Sequence, residues 1–180
     1  MSSTEGNIPD MVDDDGTAPD RVARIQQEWR RERPDLDPSP QGVFGRLARL
    51  HGHLSEQLAI VFRAHGLTEG EFDVLAALRR AGDPFERTPS ELAASVMISS
   101  GGLTKRVDRL EAAGLVARRP HEGDGRSRVV ALTAAGRDLV DRAFEAHLAN
   151  EHRLLAALEE GDRHALEGIL TRWLRASGEE

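Results

Sequence analysis

Residues 98–114 read ISSGGLTKRVDRLEAAG. Two serines and two glycines give way to a run in which Leu103, Val107 and Leu110 recur at helical spacing, and Gly114 closes it. At about 100° per residue, Gly101, Thr104, Lys105 and Asp108 fall opposite that apolar stripe, while Arg106 borders it. Glycine inside a helix costs about 1 kcal/mol relative to alanine, and a close backbone approach to phosphate would explain that cost here. Polar donors on the outer face suit the edges of bases.

The neighbours on either side complete a unit. Upstream, Thr88, Pro89 and Glu91 supply an N-cap, a first-turn proline and the third-position glutamate for a short helix, PSELAASV. Downstream, LVARRP, HEGDGR and SRVVALT read as strand, turn and strand, with Gly123 and Gly125 in the turn. Helix, helix and two-stranded hairpin form the winged variant of the helix-turn-helix, whose second helix reads a major groove. The residues placed to contact DNA are Ser99, Ser100, Gly101, Thr104, Lys105 and Arg109 on the helix, with Arg126 and Arg128 on the wing. An arginine at a wing tip suits the negative potential of a minor groove.

Net charge does not oppose this reading. The chain of 180 residues carries −7 overall, but Glu5, Asp10, Asp13, Asp14, Asp15 and Asp20 precede the first basic residue and hold six of those charges. Between 88 and 132, seven cations face five carboxylates. Local patches decide the approach of a polyanion, and residues 1–17 read as a disordered acidic tail.

Helices fill the remainder. Asp20 opens a short helix with Val22, Ile25 and Trp29 on one stripe, ending before Pro34. A longer one follows to about residue 65, with Phe44, Leu47, Leu50, Leu54, Leu58, Val61 and Phe62 inward. Thr68 and Glu71 have capping-box spacing for the helix through EFDVLAALRR. Thr133 caps a helix to about Leu158, and Gly161 and Asp162 break it before a last helix bearing Leu166, Ile169, Leu170, Trp173 and Leu174. The expected fold is mainly α with a small β-hairpin wing. It divides into the tail (1–17), N-terminal helices for ligand and dimer contacts (18–66), a winged lobe (67–133) and C-terminal dimerisation helices (134–177).

Other classes recede. No Cys is present, which removes disulfides, thiol catalysis and zinc-thiolate sites. There is no G-x-S-x-G, P-loop or G-x-G-x-x-G motif, so an enzyme is not expected. His147, Glu151 and His152 have poor spacing for a metal triad, and neither metal nor cofactor is expected. No apolar run reaches the roughly 20 residues of a membrane span and no signal pattern is visible, so a cytoplasmic location is expected.

The segment from TPSELAASV through the wing to VVALTAAG resembles the winged helix-turn-helix of the MarR family of bacterial regulators, including its D-x-R wing signature at Asp124 and Arg126. The resemblance implies a homodimer with intertwined terminal helices, set on a pseudo-palindromic stretch of double-stranded DNA. The added first helix is similar to that of the urate-responsive branch, whose tryptophan, acid and two arginines match Trp29, Asp73, Arg106 and Arg118. The branch thereby implies a repressor released by a small anion, urate or a related purine. In it, Trp29 and Arg118 would hold the ligand, and Asp73 and Arg106 would relay its arrival.

The residues lend that reading support of their own. Asp73 sits in a helix apolar on almost every side, where a carboxylate needs a cationic partner, and Arg106 is a candidate. His51 matches a histidine near the dimer axis of that branch, where paired imidazoles would repel once protonated. Phenolic or polycarboxylic acids, a response to pH, or a protein-contacting adaptor with a flat salt dependence are the alternatives.

Overall fold

The computed structural model describes residues 18–96, 102–121 and 124–178, with side chains described outside 121–127. In chain order it contains α1 (Arg21–Glu32), α2 (Ser39–Ala64), α3 (Glu69–Arg79), β1 (Glu86–Arg87), α4 (Pro89–Ser95), α5 (Leu103–Ala112), β2 (Val116–His121), β3 (Asp124–Leu132), α6 (Ala134–Leu155) and α7 (Glu160–Ala176). The chain divides into two compact units, one ending at Gly52 and one beginning at His53.

In the first unit, the Asp20 carboxylate caps α1 by accepting from the Ala23 N–H at 2.7 Å and also takes the Arg46 guanidinium at 2.9 Å. Val22 is buried, and so is Gln26, one turn on, whose amide donates to the carbonyls of Pro38 and Ser39 at 3.0 and 3.3 Å. The buried face of α1 is therefore not the Val22, Ile25, Trp29 stripe: Ile25 and Trp29 are exposed. A glutamine amide satisfied by two helix-start carbonyls competes well for a buried position, because its hydrogen bonds are met inside.

The second unit is built around α3. Phe72, Val74, Leu75, Ala77 and Leu78 are buried on nearly all sides of that helix, and Leu92, Val107, Leu110, Val116, Val130 and Val140 join them from α4, α5, the sheet and α6. Both capping boxes exist: Thr68 with Glu71 on α3 and Thr88 with Glu91 on α4. The wing is a three-stranded antiparallel sheet ordered β1-β3-β2, in which Glu86 and Arg87 pair with Ala131 and Val130. Strand β1 adds a third to the two strands expected from the sequence, because two polar residues carry no alternation signal.

Gly161 and Asp162 do not separate the last helices: α7 starts at Glu160, so Asp162 lies in its first turn, where a negative charge suits the helix dipole. On α2, Phe44 is 62% exposed and Leu50 is also exposed, although both were expected inward. Periodicity identifies an apolar face but not the chain that covers it. Among the described residues, no helix is long and apolar enough to cross a membrane.

Candidate DNA-reading and effector sites

Helices α4 and α5 form the helix-turn-helix, and the faces of α5 separate by chemistry. Val107 and Leu110 are buried and Leu103 is half-buried, while Thr104, Lys105, Asp108 and Arg109 are exposed. Gly102 is the N-cap of α5 with φ +78°, and open space surrounds the place a Cβ would take. Its left-handed conformation accounts for glycine there without any helix-interior cost, so close approach is not needed to explain it. Ser99, Ser100 and Gly101 lie outside the described residues.

On the wing, Arg118 pairs across the ladder with Val130, Arg119 with Val129 and Pro120 with Arg128, with a register irregularity between Pro120 and His121. Arg128 is exposed. Arg126 lies within β3, and its side chain is among those not described.

Arg106 turns away from the outer face of α5. A Cβ on Gly70 would meet the Arg106 Cζ at 2.8 Å, so the guanidinium lies directly on the first turn of α3. Beside it, burial pushes the Glu71 carboxyl up, but hydrogen bonds from Thr68 and the charges of Arg109 and Arg106 outweigh burial and hold it below the usual carboxylate range. Arg109 reaches Glu71 at 3.4 Å. Asp73 is buried two residues further along α3.

Arg118 is held by two carboxylates of α5. Its guanidinium donates to Asp108 at 2.6 Å and to Glu111, and its backbone N–H donates to Glu111 at 3.0 Å. The Asp108 hydrogen bond, with Glu111, raises the arginine above its ordinary pKa against a smaller opposing effect of burial. Arg118 also borders a cleft of about 190 Å³ walled by Pro89, Leu92, Leu103, Thr104, Val107 and Val130. An anion entering that cleft meets a cation already neutralised, and must compete with Asp108 and Glu111 for it.

In the N-terminal unit, Trp29 is 46% exposed and borders a separate cleft of about 250 Å³ with Leu36, Asp37, Pro38, Pro40 and Gln41. His51 is exposed on α2. Gly70 as the seat of Arg106, and Asp108 and Glu111 as partners of Arg118, are not among the site residues the sequence suggests. The i, i+3 spacing of those two acids was a visible signal, because it places both on one side of α5.

A helix-turn-helix with an antiparallel wing and cations on its exposed helix face defines a winged-helix regulator of transcription. The comparisons with known proteins agree. The MarR family model matches residues 65–127. The transcriptional regulator PecS of Dickeya dadantii is 42% identical over 151 residues, which span 84% of this chain and 91% of PecS. The chain belongs to the MarR family of transcriptional regulators, and its relatives are regulators and not enzymes. Among solved structures, wild-type MarR of E. coli superposes with a TM-score of 0.59 at 27% identity, covering 72% of this chain and 96% of MarR. BpsR of Bordetella bronchiseptica, whose DNA binding is regulated by 6-hydroxynicotinic acid, shares the fold with a TM-score of 0.64 at 24% identity over 73% of this chain and 91% of BpsR.

Proposed function

We propose that this protein is a cytoplasmic repressor that binds a pseudo-palindromic operator as a homodimer and releases it when a small planar anion binds, with urate or a related purine as the leading effector. The observation that carries the reading is the division of α5: Val107 and Leu110 are buried, and Thr104, Lys105 and Arg109 are presented outward. These three residues, with Ser99, Ser100, Gly101, Arg126 and Arg128, are assigned to DNA. Support for the homodimer comes from α7, in which no residue is buried and Ile169, Leu170, Trp173 and Leu174 form an exposed apolar face.

Trp29, Asp73, Arg106 and Arg118 are assigned to the effector and its relay. An anion that draws Arg118 toward the cleft would release Asp108 and Glu111, both on the recognition helix, and so alter the presentation of Thr104 and Lys105. Regulation of BpsR by a hydroxylated aromatic acid favours a planar heterocyclic anion as the effector class. Ligand and operator would be reciprocally coupled, typically by about 1 to 3 kcal/mol.

The test is a titration of protein–operator complex with urate, xanthine, salicylate and citrate, repeated with Trp29→Ala and Arg118→Ala. Urate should release the wild-type complex, and each substitution should raise the concentration required by about tenfold. Release by urate that neither substitution changes would overturn the effector assignment while leaving DNA binding intact.

A further inference from the structure

The segment between α3 and α4 holds its side chains in an arrangement that the DNA and effector sites do not use. Phe85 has φ +59°, in the left-handed region that a bulky L residue rarely occupies. Two guanidiniums lie over its ring, with the Arg79 Cζ 5.0 Å and the Arg137 Cζ 4.7 Å from the ring centre. Both arginines lead to one carboxylate of α6: Arg79 donates to Asp141 at 2.7 Å, and Arg137 approaches the same side chain at 4.0 Å. The Phe85 carbonyl accepts from the N–H of Leu132, the last residue of β3, at 3.0 Å. Glu86, the next residue, keeps its carboxylate largely buried and accepts from the Arg119 guanidinium of β2 at 2.8 Å. Arg87 then donates to the Ala77 carbonyl of α3 at 3.1 Å.

The topology gives this cluster a mechanical meaning. Strand β3 runs into α6 through Thr133 alone, so the wing has one covalent attachment to that helix. On the β2 side of the sheet, the Leu115 carbonyl accepts from the Thr133 N–H at 3.1 Å and the Thr133 hydroxyl donates to the Gly114 carbonyl at 2.8 Å, which ties that edge to the start of α6. Phe85 and Glu86 supply a further attachment at the opposite, β1 edge, fixed to α6 through two arginines and one aspartate, and to both long wing strands through Leu132 and Arg119. A left-handed phenylalanine persists only where its surroundings over-determine it, which is the condition met here.

We infer that Phe85 and Glu86 are positioning residues for DNA binding: together they form a strut that sets the angle of the wing against α6. The inference rests on the reading that the wing reaches DNA and that α6 belongs to the dimer, in which case the strut fixes how far apart the two wings fall on the duplex. Neither residue touches DNA in this role.

The experiment uses the full chain and a duplex that the wild-type protein selects from a random library, together with the same duplex carrying one or two extra base pairs between its half-sites. If the wild-type protein selects nothing, the DNA-binding reading itself fails. If it does, Phe85→Leu and Glu86→Gln should each bind the selected duplex about tenfold more weakly and lose most of the preference for its spacing. The dependence of affinity on salt should become shallower, because a misplaced wing brings fewer of its cations onto phosphates. The paired reversal Glu86→Arg with Arg119→Glu should restore spacing preference. Dimer mass and thermal melting are measured alongside, with binding taken well below the melting temperature, and Glu86→Gln supplies the answer should Phe85→Leu not fold. Wild-type affinity and spacing preference in the folded single variants would overturn the inference.

Discussion

Gly70 and Arg106 show how one missing methyl group decides where a charge goes. The Arg106 guanidinium occupies the place a Cβ would take on Gly70. In Gly70→Ala the arginine has to move, and it is long and flexible enough to do so cheaply. Alanine gains up to about 1 kcal/mol over glycine within a helix, which offsets the lost contact. The expected outcome is a change in melting free energy within about 1 kcal/mol combined with an altered response of operator binding to effector, because the guanidinium has left α3. A large loss of stability with an unchanged effector response would show that Arg106 is only a packing element. At the same scale, Arg118→Ala frees Asp108 and Glu111 on the recognition helix, so it should weaken operator binding as well as effector sensitivity. Comparing operator affinity with and without effector separates the two effects.

At the scale of elements, the α3 cap carries a pH dependence whose sign is fixed. Glu71 has a folded pKa below its ordinary value, so its stabilisation is fully present above the unfolded carboxylate value of about 4.3 and is lost as pH falls through the lowered folded value. Urea denaturation of Glu71→Ala should show a loss of about 1 kcal/mol at neutral pH, shrinking as the medium is acidified below about pH 4. A difference that stays constant into acid would mean that the carboxylate charge does not act there.

Caps of this kind were legible in the sequence because they are local: Thr68 with Glu71 and Thr88 with Glu91 need only three-residue spacing and a following apolar run. The start of α7 was not, because a Gly–Asp pair reads as a breaker when its acid equally suits a first helical turn. The buried face of α1 was missed for a related reason. Gln26 is buried by hydrogen bonds to Pro38 and Ser39, and periodicity counts only apolar residues. Within the candidate site, the outward residues of α5 followed from the helical period, whereas the capture of Arg118 by Asp108 and Glu111 depends on how β2 lies against α5, which no local pattern states.

Across the whole molecule, apolar surface is distributed unevenly. The core around α3 is complete within one chain, yet α7 buries no residue and leaves Ile169, Leu170, Trp173 and Leu174 open, while Phe144, Leu148 and Leu155 are exposed on α6. Aromatic anchors near the centre of such faces dominate association energies, so Trp173→Glu should weaken self-association by at least about tenfold in sedimentation equilibrium. The winged unit should keep its melting transition, since its buried core lies elsewhere. Unchanged self-association would move the dimer contact away from α7.

The double hold on Arg118 has one more consequence, for pharmacology. If release of DNA requires an incoming negative charge to take the guanidinium from Asp108 and Glu111, then occupying the cleft and triggering release are separable events. An uncharged molecule with the outline of a purine could fill the apolar walls formed by Leu92, Val107 and Val130 and leave both ion pairs intact. Under the proposed function, such a compound would act as an antagonist, blocking the anionic effector while the protein stays on its operator.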